Sequence, residues 1–292
     1  MVYVKLFLTA VLWGGTFIAA RVVSQDVGPF SAAFFRFFIA SAFLLFFAVR
    51  LEGGLPRLAK GQVFLILLLG LTGVAAYNVF FFSGLKSIAA GRASLIIATN
   101  PVFIALFAAL LFRERLTLLN GAGILLCVTG ALIVLSKGNP LIIFQGGLGR
   151  GELYIAGCVV SWVLYSLIGK AAMKDLSPLA AVTFSCLVGT AVLFVPALGE
   201  GMAGQFLAYG WSNWWGMFYL GFFGSVLGFT WFYEGIKKIG ASRAAVFINF
   251  VPVNAVILAY LILHERIYPS LLIGAALVIG GAYMTNKRDR IL

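Results

Sequence analysis

The chain repeats itself at a shift of 149 to 151 residues, and no other feature constrains its fold as tightly. Trp13, Arg21 and Pro29 recur as Trp162, Lys170 and Pro178. Further along, Gly84, Lys86, Ile88, Arg92, Pro101, Glu114, Arg115, Gly123 and Gly130 recur as Gly235, Lys237, Ile239, Arg243, Pro252, Glu265, Arg266, Gly274 and Gly281. The two copies, 1–138 and 150–288, each hold five apolar stretches. Five is odd, so a chain threaded through a bilayer enters its second copy from the opposite side. The second copy is therefore expected to lie inverted relative to the first.

Composition places the chain in lipid. A soluble domain carries about a quarter charged residues, whereas this chain has 10% charged and 62% hydrophobic residues with a mean hydropathy of +1.07. The net charge of +12 does not point to nucleic acid, because the basic residues sit singly or in small groups at the ends of apolar runs. Cys127, Cys158 and Cys186 each lie inside an apolar stretch without CxxC spacing, so neither a disulfide framework nor a metal site is indicated. The first stretch matches a later one and reads as a retained membrane helix, not a cleaved signal peptide.

Crossing a bilayer core takes about 20 mainly apolar residues in a helix. Ten stretches meet that length, at approximately 3–24, 29–50, 62–84, 92–112, 116–136, 150–171, 177–198, 214–235, 242–263 and 267–286. The fold class predicted is an all-α integral membrane protein of ten transmembrane helices, arranged as two inverted five-helix repeats. With a cytoplasmic N-terminus, fourteen basic residues fall inside and six outside, which puts both termini in the cytoplasm of a bacterial-type inner membrane.

Several runs carry a family resemblance: Trp13-Gly14-Gly15-Thr16-Phe17 in the first span, Phe35-Arg36-Phe37 in the second, Ala98-Thr99-Asn100-Pro101 in the fourth, and Glu-Arg at the ends of the fourth and ninth. In their order and repetition these runs resemble the drug/metabolite transporter superfamily, and within it the EamA-type exporters, over essentially the whole chain. The resemblance implies a central cavity lined by spans one, three, four, six, eight and nine, with five and ten peripheral. Gly121, Gly123, Gly130, Gly274, Gly280 and Gly281 then serve either a homodimer through spans five and ten or packing within one chain.

Polar groups inside apolar spans are the candidates for the cavity. Asn100 lies about 15 Å into the fourth span at 1.5 Å per residue, near the midplane, and Asn249 and Asn254 flank Pro252 at similar depth. Their amides suit an amino acid or another zwitterion, or they satisfy carbonyls freed by Pro101 and Pro252. Trp13 and Trp162 sit too deep for a headgroup belt and read as paired cavity walls. By analogy with the family, Thr16, Tyr77, Asn78, Phe81, Tyr165 and Trp231 stand near them. Arg36, whose repeat mate is Ser185, either draws in a carboxylate, acts as a gate, or snorkels to the interface; a structural or gating role is favoured. Gly14, Gly15, Pro101 and Pro252 are the flexing points.

No Walker-type loop is present, and the first span lacks the buried acid on which small multidrug pumps of the same superfamily depend. No cofactor or metal is implied; the partners are a small-molecule substrate and membrane lipid. The expected function is export of a small amphipathic metabolite, foremost amino acids, by alternating access. The alternatives are a membrane-embedded enzyme acting on a lipid-linked substrate, a passive channel, or a drug or nucleobase exporter of the same fold.

Overall fold

The computed structural model describes residues 2–100, 102–103, 107, 118–136, 138–139, 149–172, 175–239, 247 and 250–286. Their regular structure is helical throughout. Helix α1 is Val2–Asp26, α2 Pro29–Glu52, and α3 Lys60–Leu85 with an embedded π-helical segment at Gly70–Ala76. Helix α4 is described over Ala90–Ile97, α5 is Leu118–Leu135, α6 Arg150–Ala172 and α7 Pro178–Gly199. Helix α8 covers 211–239 with a π-helical segment at Tyr219–Leu227, α9 is Phe250–Leu263 and α10 Pro269–Asn286. By length and composition, α1, α2, α3, α6 and α7 are long and apolar enough to cross a membrane, and α5, α9 and α10 are shorter apolar helices.

Local chemistry explains the helix ends. Pro29, Pro178 and Pro269 open α2, α7 and α10, where a missing N–H costs nothing. The Ser177 hydroxyl accepts the Ala180 N–H at 3.0 Å as an N-cap. Gly53, at φ 73°, takes the left-handed turn that stops α2.

Packing follows the repeat. Helix α1 lies on α8 and α9, and α6 lies on α3 and α4; α2 lies on the π segment of α8, and α7 on that of α3. Each contact becomes the next when the two copies are exchanged, and the mates α2 and α7, α5 and α10, and α4 and α9 pack on each other. The Ser41 and Thr190 hydroxyls, themselves repeat mates, meet at 3.3 Å, so the pseudo-twofold axis passes between them.

Mates run in opposite directions. Glu52, ending α2, accepts from the Ser177 hydroxyl before α7 at 2.7 Å, whereas Glu200, just past α7, accepts from the Ser31 backbone N–H at the start of α2 at 2.8 Å. In α5 and α10, a Cβ at Gly130 would meet Gly274 and Val278, while one at Gly281 would meet Cys127 and Gly123, so sequence order reverses across the contact. Gly130, Gly274 and Gly281 thus bring two backbones together within one chain, whereas Gly121 and Gly280 face open space.

Candidate functional site

Two of the spans read from sequence as continuous α-helices carry π-helical segments, at equivalent places. The π segments end at Ala76 and Leu227, 151 residues apart, and each carries the same glycine pair, Gly70 and Gly73 in one, Gly221 and Gly224 in the other. A Cβ at Gly70 would strike Val188, and one at Gly221 would strike its mate Ile39; Gly73 lies against Tyr165, and Gly224 against its mate Thr16. The absent side chains let α1, α2, α6 and α7 close on the helix pair, and the widened π turns leave carbonyls for side chains to satisfy.

Between these helices runs a belt of aromatic contacts. Trp13 packs on Phe229 at 5.5 Å between centroids, Phe229 on Trp162 at 6.4 Å, and Trp162 on Tyr77 at 5.3 Å. Tyr77 stacks on Phe81 at 5.8 Å and Phe81 meets Phe17 at 5.2 Å, so the belt ends on α1, one turn from Trp13. Tyr165 extends the belt from Trp162 at 5.4 Å. The two tryptophans are not equivalent in detail. Trp13 lies over Gly228 and donates its indole N–H to the Gly224 carbonyl at 2.9 Å, whereas at the mate of Gly228 stands Tyr77, whose ring faces Trp162.

Arg36 turns inward and is 8% exposed. Its Nη1 donates to the Asn78 side-chain oxygen at 2.9 Å and its Nε to the Ser225 hydroxyl at 3.3 Å. Asn78 in turn donates to the carbonyls of Val74 at 2.9 Å and Gly73 at 3.3 Å, and Ser225 donates to Leu220 at 3.0 Å, five residues back. One guanidinium therefore joins the two π segments. No carboxylate among the described residues pairs with it.

Helix α4 stops being α-helical at Ala98 and Thr99, just before Asn100, which is 6% exposed with its side-chain oxygen unbonded. Asn254 on α9 instead returns its amide N–H to the Phe250 carbonyl at 2.8 Å, one turn behind. Gly14 abuts Asn254 and Ala255, and Gly15 abuts the Tyr219 ring, whose hydroxyl donates to Leu12 at 3.0 Å. Pro252 is buried on α9. Asn249 and Pro101 lie outside the described residues, as does the Glu114-Arg115 pair. Trp231 takes no part in the belt.

Comparison with known proteins decides the family. The EamA-like transporter family model matches residues 1–136 and again 149–287. The chain belongs to the EamA-like transporter family. It is an integral membrane transporter. Among curated EamA-like relatives, "Uncharacterized transporter YyaM" of Bacillus subtilis is 30% identical, with 99% of this chain and 95% of that one covered. The "Probable terminal-alkyne amino-acid exporter" of Streptantibioticus cattleyicolor is 30% identical over 97% of this chain and 92% of that one. A crystal structure at 22% identity superposes with a TM-score of 0.65 over 97% of this chain and 96% of that one, and shares the fold.

Within this EamA-like fold, the structure brings Trp13, Tyr77, Phe81 and Trp162 into one belt, with Thr16 and Tyr165 beside it. It ties Arg36 to Asn78. Phe229, the repeat mate of Asn78, is where sequence comparison of the two copies expects sidedness and substrate choice; sequence reasoning missed Phe17 and Ser225 as contributors, and both π segments. The available signal was the glycine pair three residues apart, Gly70-x-x-Gly73 and Gly221-x-x-Gly224, recurring at the repeat shift.

Proposed function

We propose that this protein is a secondary carrier that exports a small amphipathic metabolite, foremost an amino acid, across the bacterial inner membrane by alternating access of two inverted five-span repeats. The aromatic belt joining α1 and α3 of the first copy to α6 and α8 of the second carries this reading. Such faces hold apolar and cationic groups without committing to one shape, and a belt shared by both copies is remodelled when one copy rocks against the other. The interrupted helices α3 and α8 and the break in α4 supply weak points in the helix ladder beside it. The amino-acid exporter named among the relatives supports the substrate class. Fourteen basic residues on one side against six on the other support cytoplasmic termini.

Counterflow in proteoliposomes tests the proposal. Purified protein is reconstituted with internal unlabelled leucine or phenylalanine, and entry of the labelled compound is followed. Saturable entry accelerated by internal substrate is expected. Entry that rises linearly with concentration and ignores internal substrate would make the protein a channel, and no protein-dependent entry of either compound would remove amino acids as the substrate class.

A further inference from the structure

The pseudo-twofold axis allows each polar group near the belt to be compared with its mate. Four positions differ together. Arg36, Thr16, Asn78 and Ser225 have as mates Ser185, Tyr165, Phe229 and Val74. A guanidinium, an amide and two hydroxyls on one side of the axis thus face one hydroxyl, a phenol and two apolar side chains on the other. Arg36 bonds Asn78 and Ser225; Thr16 donates its hydroxyl to the Trp13 carbonyl at 2.6 Å and turns its methyl to the place where a Cβ on Gly224 would stand, 2.6 Å from that methyl and 3.9 Å from Arg36 Nη2. The mate cluster carries no charge. Ser185 spends its hydroxyl on the Val182 carbonyl at 2.9 Å.

Both acceptors of Arg36 are neutral. They fix the guanidinium plane without compensating its charge, and a buried cation among apolar helices is costly until an anion reaches it. The bonds to Asn78 and Ser225 use Nη1 and Nε, and the Phe37 ring lies 5.2 Å from the guanidinium carbon, so Nη2, on the side of Gly224, is the nitrogen with no described hydrogen bond. Gly224 also ties this point to the belt, since its carbonyl holds the Trp13 indole.

We infer that Arg36 is the carboxylate anchor of the transported substrate, with Asn78 and Ser225 as its positioning residues and the face beside Thr16 and Gly224 as the point of approach. The substrate class is then a monocarboxylate whose apolar or aromatic remainder lies on the Trp13–Tyr77–Trp162 belt. This rests on the carrier reading above and adds the group that is recognised. A low-dielectric site strengthens the pairing, and the charge of the guanidinium favours a carboxylate over a neutral amide.

The test compares leucine and phenylalanine with leucinamide and phenylalaninamide as competitors of labelled leucine counterflow in proteoliposomes. The readout is the ratio of amide to acid inhibitory concentrations, which does not depend on how much protein is active. In the unaltered protein the acids should compete at least about tenfold better than the amides, the value of one charged hydrogen bond. Arg36→Gln should bring the ratio to near one. A second variant leaves Arg36 in place: Thr16→Ser removes the methyl that a Cβ at residue 224 would strike, so Gly224→Ala combined with Thr16→Ser covers Nη2, and the ratio should fall relative to Thr16→Ser alone. Should Arg36→Gln fail to reconstitute, the double variant decides. Equal competition by acids and amides in the unaltered protein, or an unchanged ratio in the variant that decides, would overturn the anchor while leaving the carrier standing. Absence of any leucine or phenylalanine counterflow in the unaltered protein would instead remove amino acids as the substrate class, and the anchor with it.

Discussion

Glu265 closes the start of α4 by accepting the Ala90 backbone N–H at 2.8 Å, with its other oxygen on Gly91 at 3.2 Å, so an acid at the end of the second copy's α9 caps a helix of the first copy. Charge-assisted bonds to exposed helix N–H groups are among the stronger neutral-to-ion contacts. Glu265→Ala should lower stability by about 1–2 kcal/mol, the range of a lost N-cap, read as a fall in thermal unfolding temperature in detergent. Glu265→Gln, which still accepts one bond, should fall less; equal losses would mean that the charge does not matter.

The mates α5 and α10 offer a matched pair of adjacent glycines. A Cβ at Gly281 would lie 2.5 Å from the Cys127 nitrogen, whereas Gly280 has nothing within 4 Å. Gly281→Ala should destabilise by about 1–3 kcal/mol, since backbone cannot yield as a side chain can, and Gly280→Ala should be neutral or slightly stabilising. Equal unfolding temperatures for the two variants would show that the helices can separate freely.

Trp13 and Trp162 are repeat mates that should fail differently. Trp13→Phe keeps a ring but strips the donor from the Gly224 carbonyl, costing about 1–3 kcal/mol if that carbonyl stays dry. Trp162→Phe loses no described hydrogen bond and keeps an aromatic face towards Tyr77, so its stability should change less. Unfolding temperatures of the two variants provide the check, and a larger loss in Trp162→Phe would reverse the assignment.

Glu234 joins Lys5 and Lys238, each at 2.6 Å, where the bundle carries the start of α1. The three side chains are 28%, 34% and 58% exposed, so screening leaves roughly 1 kcal/mol or less in such a network. Glu234→Gln should shift stability slightly and only at low salt, and should leave the pH profile of counterflow unchanged. A flattened pH profile would make Glu234 a proton-coupling group.

Much of the architecture was legible because a repeat is a covalent fact. Trp13 and Trp162, Pro29 and Pro178, and Gly130 and Gly281 align without any knowledge of contacts, and their apolar spacing gives helices in lipid. The π segments were not legible, because a run such as Gly70 to Ala76 is apolar in either helix type; only close packing on Val188 and Tyr165 explains its two glycines. Phe17 was hidden among 28 phenylalanines with identical hydropathy.

The sequence by itself determined the membrane class and the duplication, since composition and period follow from order along the chain, and an odd number of apolar stretches in each copy set the expectation of inversion. Only the tertiary structure decided what Arg36 does with its charge. Counting residues places it within α2 but cannot say where its flexible stem leads, and the guanidinium finds Asn78 and Ser225 through bonds that span 42 and 189 residues. Bringing such distant groups together depends on helix packing, which no local pattern encodes.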